Sequence, residues 1–348
     1  MQRICQTLDQ AGYQIFILGR NFSKSIELAA EKYQQQRLSL WFQKGKLSYL
    51  ELNFRIFFKL LFHKTDAFYS VDLDTLPACW LLAKLKSKKL IHDAHEFMEE
   101  VPEVYDRPLT KKVWRLIGKW FVPGVDLAFT TSLTVGAELE KIHNKKYYLV
   151  RNITYLTENE PTESHLKERG FWVFLGAVNQ GRGIEEFLEI LPYTNRKLVI
   201  LGDGDRMDAI KKLVSDKLIE HLVDFKGKVK PPEARQIMKN AWAGINLLTD
   251  EGLSYRYSLA NKFFDYVHAG IPQICIKFPE YKLLMAEFEV GVLSSLEKES
   301  LLAASQIISF PEKQSHFRQQ TQLAKHSWNW QSESKDLLKL IENVFKST

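Results

Sequence analysis

Short apolar runs alternate with stretches of helical length along almost the whole chain, in two successive series. This alternation constrains the fold most, because strands that alternate with helices build parallel sheets covered by those helices. In the first series GYQIFIL (Gly12–Leu18), RLSLWF (Arg37–Phe42), AFYSV (Ala67–Val71), KLIHDAH (Lys89–His95), DLAFTTS (Asp126–Ser132) and KYYLVRN (Lys146–Asn152) read as strands. Helices are expected over residues 2–11, Leu47–His63, Leu76–Lys86 and Leu109–Phe121. The next segment, ITYLTENEPTESHLKERG, is polar and aperiodic and reads as a linker. The second series holds FWVFLGA (Phe171–Ala177), KLVILGDG (Lys197–Gly204), HLVDFKGKV (His221–Val229), AGINLL (Ala243–Leu248), PQICIK (Pro272–Lys277) and VGVL (Val290–Leu293), and a last helix is expected over Ser327–Phe345. A chain of 348 residues is too long for one ordinary core. The expected organisation is therefore one α/β domain over 1–152, a linker over 153–170, a second α/β domain over 171–326, and a helix over 327–348 that packs back on the first domain.

Composition narrows the function classes. The three cysteines, Cys5, Cys79 and Cys275, are far apart and odd in number, so neither a disulfide framework nor a zinc site is expected, and a reducing cytoplasm suits the chain. No apolar run approaches the ~20 residues of a spanning helix, and no signal-peptide pattern is seen. Residues 1–150 carry 22 Lys and Arg against 16 Asp and Glu, a surplus of six that accounts for the whole net charge of +6. A basic half can face nucleic acid, an anionic membrane or an anionic substrate. No nucleic-acid motif accompanies it, which favours the membrane surface, with Leu47–Lys64 and Val104–Phe121 as the basic, aromatic stretches. The competing reading has these helices pack an apolar face on the sheet while the lysine heads stay wet.

One stretch, YRYSLANKFFDYVHAGIPQICI (Tyr255–Ile276), has the form loop, helix, glycine, strand. Ser258 and Asn261 are candidate N-caps, Phe263, Phe264 and Val267 form an apolar face, and Gly270 is placed to end the helix. A helix start entered from a polar loop offers unpaired N–H groups and partial positive charge to an anion such as phosphate.

With four stretches taken together the chain resembles glycosyltransferase family 4, retaining enzymes of the GT-B fold. They are LGAVNQGRGIEEFL (Leu175–Leu188), LVILGDGDRMDAIKKL (Leu198–Leu213), YSLANKFFDYVHAGIPQI (Tyr257–Ile274) and, in the first half, HDAHEFMEEVPEVYDRP (His92–Pro108). The resemblance implies two facing Rossmann-like, doubly wound parallel sheets with a cleft, an acceptor-binding first domain and a nucleotide-sugar-binding second domain. It implies a hexosyltransferase moving sugar from a nucleotide diphosphate, with UDP foremost and GDP open, to a polysaccharide, lipid-linked or other hydroxyl acceptor. The leaving phosphate would help to take the acceptor proton. The diphosphate would lie against Gly176, Gly181, Arg182, Gly183, the backbone of Ser258, Leu259, Ala260 and Asn261, and Lys262. A guanidinium such as Arg182 binds phosphate oxygens bidentately. The resemblance assigns Asp265 to the ribose hydroxyls, Lys226, Gly227 and Val229 to the neighbourhood of the base, and His95 to the reaction centre. Glu96, Glu251, Arg256 and Tyr257 would lie near the sugar. Tyr257 stands where the family has the first Glu of its E-x7-E pair, and Ala177 where it often has a second Arg.

Asp72-Leu73-Asp74 and Asp203-Gly204-Asp205 match D-x-D, a metal motif of the other large glycosyltransferase fold, but both sit in βα context and no metal cofactor is expected. The chain starts at MQRICQTLDQAGY, which resembles the helix after the family's first strand, so that strand is expected to be missing. Two alternatives stand beside the transferase: a UDP-sugar 2-epimerase-like isomerase, and a catalytically impaired nucleotide-sugar-binding protein.

Overall fold

The computed structural model describes residues 1–346 apart from 24, 26, 102, 103, 105 and 158–169. Most of the expected linker, 158–169, thus lies outside the described residues. The chain divides into two compact units, Met1–Arg151 with Ser334–Thr348, and Asn152–Glu333.

In the first unit the strands are β1 (Phe16–Asn21), β2 (Gln34–Ser39), β3 (Ala67–Val71), β4 (Lys89–Ala94), β5 (Leu127–Thr130) and β6 (Tyr148–Leu149). All pairings are parallel, in two ladders: β1 with β2, and β3-β4-β5-β6 in that order. β4 is covered on both faces, so its residues from Leu90 to Ala94 are all buried, and the two polar ones, His92 and Asp93, meet the hydroxyls of Ser70 and Tyr69. The expected strand at Gly12–Leu18 is corrected to begin four residues later. Gly12 and Tyr13 close the helix Gln2–Gln10, with Gly12 at φ 91° and the Tyr13 amide donating to the Leu8 carbonyl. The strand expected at Arg37–Phe42 begins at Gln34, because the register with β1 recruits three glutamines that carry no apolar signal. The helix expected from Leu76 starts at Asp72 and runs to Lys86, with Pro77 in its second turn. The end of the last helix, Trp330–Lys346, belongs to this unit, where Phe345 packs on Tyr13 with ring centroids 6.1 Å apart.

The second unit is one six-stranded parallel sheet of β7 (Phe171–Leu175), β8 (Lys197–Leu201), β9 (Val223–Gly227), β10 (Ala241–Asn246), β11 (Gln273–Ile276) and β12 (Gly291–Ser294). Its order is β12-β11-β10-β7-β8-β9. The chain winds outward from β7 through β8 to β9, then returns beside β7 at β10 and winds the other way. The helices that follow β7 and β10 therefore lie on opposite faces, and the crevice at the carboxyl ends of these strands is where such sheets bind ligands. Trp172 and Phe174 of β7 and Phe187 of the helix Ile184–Ile190 are buried in one core layer. Tyr266 anchors the other, bonding through its hydroxyl to the backbone of Val173, Leu175 and Ile245.

Candidate functional site

The glycine loop after β7 and the segment after β10 are built into each other at the switch in strand order. The Thr249 amide donates to the Gly181 carbonyl at 2.9 Å. Gly181 and Gly183 have φ of 75° and 67°, the left-handed region that glycine adopts without strain. A Cβ on Gly181 would overlap Thr249 Oγ1, and one on Gly183 would overlap Leu247. Arg182 is held between them, its guanidinium carbon 5.5 Å from the centre of the Tyr255 ring. Its Nε is buried with no hydrogen-bond partner among the described residues.

Lys262 comes to the same place from the helix Asn261–His268. It is buried, with Nζ 4.2 Å from the centre of the Phe174 ring. Burial first, and the Arg182 charge second, bring its ammonium down to about 7. Two cations thus converge, and among the described residues neither is in an ion pair. An anion of two charges would neutralise both, and the low local dielectric makes that exchange strong.

The helix start differs from expectation in its caps. Its N-cap is Ala260, with no side-chain cap, and the Ser258 hydroxyl donates to the Tyr255 carbonyl at 2.9 Å. The Ser258 amide donates to Tyr255 as well, and the Ala260 amide to the Tyr281 hydroxyl. Those two amides are engaged inside the protein and are not offered to an anion. Asp265 lies one turn further along the same helix. Phe263, Phe264 and Val267 are buried as the apolar face, and Gly270 follows the helix at φ 66°.

Gly176, Gly202 and Gly227 form a row without side chains where β7, β8 and β9 end. The Gly176 amide donates to Leu201 at 3.0 Å and the Gly202 amide to Gly227 at 2.8 Å. A Cβ on Gly202 would overlap the Gly176 carbonyl oxygen. Of this row Gly202 escaped the sequence reading, although its position directly after a strand was the available signal. Phe174, Thr249 and Tyr255 escaped it too, since only folding brings them to the loop. At the sheet edge Lys226 pairs with Asp224 at 2.8 Å, and Val229 packs against the core behind it. On the other side Arg256 faces Asp250 at 3.8 Å, Glu251 lies beside Gly181, and Tyr257 ends the short helix Leu253–Tyr257.

The first unit brings a second cluster together at the carboxyl ends of β3 and β4. Asp93 accepts from the Tyr69 hydroxyl at 2.7 Å and meets His95 Nε2 at 2.8 Å. Burial opposes charge on the His95 ring, but the Asp93 hydrogen bond and charge, helped by Asp72, outweigh it and raise its pKa. Asp72, at φ 54°, accepts from the backbone amides of His95 and Glu96, both at 2.8 Å. Burial raises the Asp72 carboxyl to about 7 against the pull of those contacts. The Asp72 carboxylate of the first D-x-D is thus occupied as a clamp on the loop that carries His95. In the second, the Gly204 amide donates to Asp203 at 2.9 Å. No group of three or more His, Cys, Asp or Glu among the described residues is placed to hold a metal ion.

The fold is that of the GT-B glycosyltransferases. A sucrose-phosphate synthase from Thermosynechococcus elongatus is similar at a TM-score of 0.81 and 14% identity, over 100% of this chain and 93% of that one. WaaG, a glycosyltransferase involved in lipopolysaccharide biosynthesis, is similar at 0.75 and 12% identity, over 97% and 93%. Anabaena Alr3699/HepE in complex with UDP and glucose is similar at 0.72 and 13% identity, over 89% and 86%. No family model matches the chain, and no curated protein matches it in sequence.

Proposed function

We propose that this chain is a glycosyltransferase of the retaining, family 4 type that takes a sugar from a nucleotide diphosphate, UDP in the first instance, and passes it to a hydroxyl of a saccharide or lipid-linked acceptor. One observation carries the reading: Arg182 and Lys262 converge at the switch in strand order, and neither has an ion-pair partner among the described residues. A leaving diphosphate gains negative charge as the glycosidic bond breaks, and fixed cations stabilise that charge where it develops. Arg182, Lys262 and the amides of Leu259 and Asn261 would hold the diphosphate, over a floor of Gly176, Gly181 and Gly183. Asp265 would take the ribose hydroxyls, the base would rest near Lys226, Gly227 and Val229, and Glu251, Arg256 and Tyr257 would border the sugar. In the first unit His95, with its charge supported by Asp93, is the candidate for the reaction centre, and Glu96 adjoins it. The two cations supply the charge that a metal would otherwise bring, so the reading includes no metal. The complexes of Alr3699/HepE with UDP and with UDP-glucose support the choice of nucleotide.

Titration calorimetry with UDP tests this. The Arg182→Ala variant should bind on the order of a hundredfold more weakly. Equal affinity would remove Arg182 from the site, and a wild-type chain that binds neither UDP nor GDP would overturn the reading.

A further inference from the structure

The helix Lys46–Leu61 has two apolar stripes, and the fold uses only one. Ser48, Leu52 and Ile56 are buried against the unit. On another face Leu47, Leu50, Phe54, Phe58 and, just past the end, Phe62 recur every three or four residues, and each is 51–88% exposed. The neighbouring helix Pro108–Phe121 repeats the pattern. Trp114 and Gly118 are buried, while Leu109, Val113, Leu116 and Trp120 form a stripe that is 39–72% exposed. The two helices touch where Tyr49 meets Trp114 edge-on, with centroids 5.2 Å apart. The helix Asp72–Lys86 packs on both and exposes Leu81 and Leu85. Scattered exposed leucines need no explanation, but two exposed apolar stripes, on helices that meet at Tyr49 and Trp114, are of the kind that marks an interaction site.

The charge around these stripes selects the partner. Residues 37–64 contain six Lys and Arg and one acid, Glu51, which is held by Arg55 at 2.7 Å. Residues 108–121 contain four basic residues and no acid. Lys111 and Arg115 of these are turned onto Glu100, which leaves Lys112 and Lys119 exposed. Asp66 at the margin faces Lys88 at 3.3 Å. A second copy meeting this face with its own would bring like charge onto like charge. A planar, anionic and apolar partner fits both features at once. No helix among the described residues is long and apolar enough to cross a membrane, so a bilayer contact of this surface would be one of docking on the headgroups.

We infer that the exposed faces of helices Lys46–Leu61 and Pro108–Phe121 dock on an anionic lipid bilayer, with Leu50, Phe54, Phe58 and Trp120 entering the headgroup boundary and Lys46, Lys59, Lys64 and Lys119 contacting lipid phosphate. Donor binding plays no part in this contact, so it is read without any sugar present and stands or falls apart from the proposed transferase activity. Sedimentation of the full chain with phosphatidylcholine vesicles, with and without about a quarter phosphatidylglycerol, tests it. Binding should require the anionic lipid and weaken as salt is raised. Lys59→Glu/Lys64→Glu should reduce it by about fivefold or more per charge, and Phe54→Ser/Phe58→Ser by about tenfold or more. All four side chains are exposed, and melting curves like that of the wild type would show both variants folded. Absence of binding to anionic vesicles overturns the inference, as does equal binding by both folded variants. A wild-type dimer in sedimentation velocity that Phe54→Ser/Phe58→Ser disperses would make the face a contact between copies and also overturn it.

Discussion

Lys262 holds a charge where the fold gives it little to offset burial. Its ammonium is buried beside Arg182, with the Phe174 ring as its favourable contact. A lysine whose folded pKa is depressed to about 7 binds its proton less well folded than unfolded. Its cost to stability is therefore full below pH 7 and fades as pH rises toward the unfolded value near 10.4. Lys262→Met should stabilise the chain by on the order of a few kcal/mol at pH 6, and by less at pH 9, in urea unfolding. The same variant should bind UDP more weakly and lack the decline in affinity expected of the wild type as pH rises through neutrality. Stability given up for a charged site is a common trade. Unchanged stability in the variant would mean that the buried ammonium is not strained as described.

Among the elements, the start of the loop after β4, residues 95–100, shows how side chains hold a segment in place. Its amides at His95 and Glu96 are clamped by Asp72, and two buried glutamates pin it further along. Glu99 meets His143 Nε2 at 2.7 Å with both side chains 1% exposed, and Glu100 holds Lys111 at 2.6 Å and Arg115 at 2.9 Å. His143 in turn bonds the Tyr147 hydroxyl at 2.7 Å. A Cβ on Gly118 would overlap the His143 ring, so the helix Pro108–Phe121 approaches this group only because that position is glycine. Removing one member of such a buried set leaves the other uncompensated. Glu99→Ala should destabilise the chain by about 3 kcal/mol in urea unfolding, whereas Glu138→Ala, a surface partner of Lys141, should cost less than about 1 kcal/mol. Equal effects would show that the Glu99–His143 pair is not what fixes the loop.

For the molecule as a whole, the unit Asn152–Glu333 provides the proposed donor site from its own residues. A ligand that binds only the folded state stabilises it by about 2.7 kcal/mol at a hundred times its dissociation constant. UDP at that excess should raise the melting temperature by several degrees, and EDTA should leave the shift intact because Arg182 and Lys262 provide the counter-charge. Loss of the shift in EDTA would require a metal in the site and remove that part of the reading. Arg182→Ala serves as the control, since its shift at the same UDP concentration should largely disappear.

The amino-acid sequence by itself determined the fold class and most of the second unit. Its buried strands are continuous apolar runs ended by glycine, as at Phe171–Gly176 and Lys197–Gly202, so local pattern and tertiary role coincide. The glycine loop around Arg182 and the helix bearing Lys262 and Asp265 were legible for the same reason. Where pairing rather than burial sets a strand, the pattern was silent: Gln34–Ser39 is a strand because β1 lies beside it, and glutamines do not announce that. Only the tertiary structure decided which amides of the Ser258–Asn261 turn are engaged, since Tyr281 reaches Ala260 from 21 residues away. It also turned Asp72 from half of a D-x-D into a loop clamp and left one of two apolar stripes on Lys46–Leu61 in solvent. Sequence period marks a face as apolar, but whether another element covers it depends on how distant parts of the chain pack.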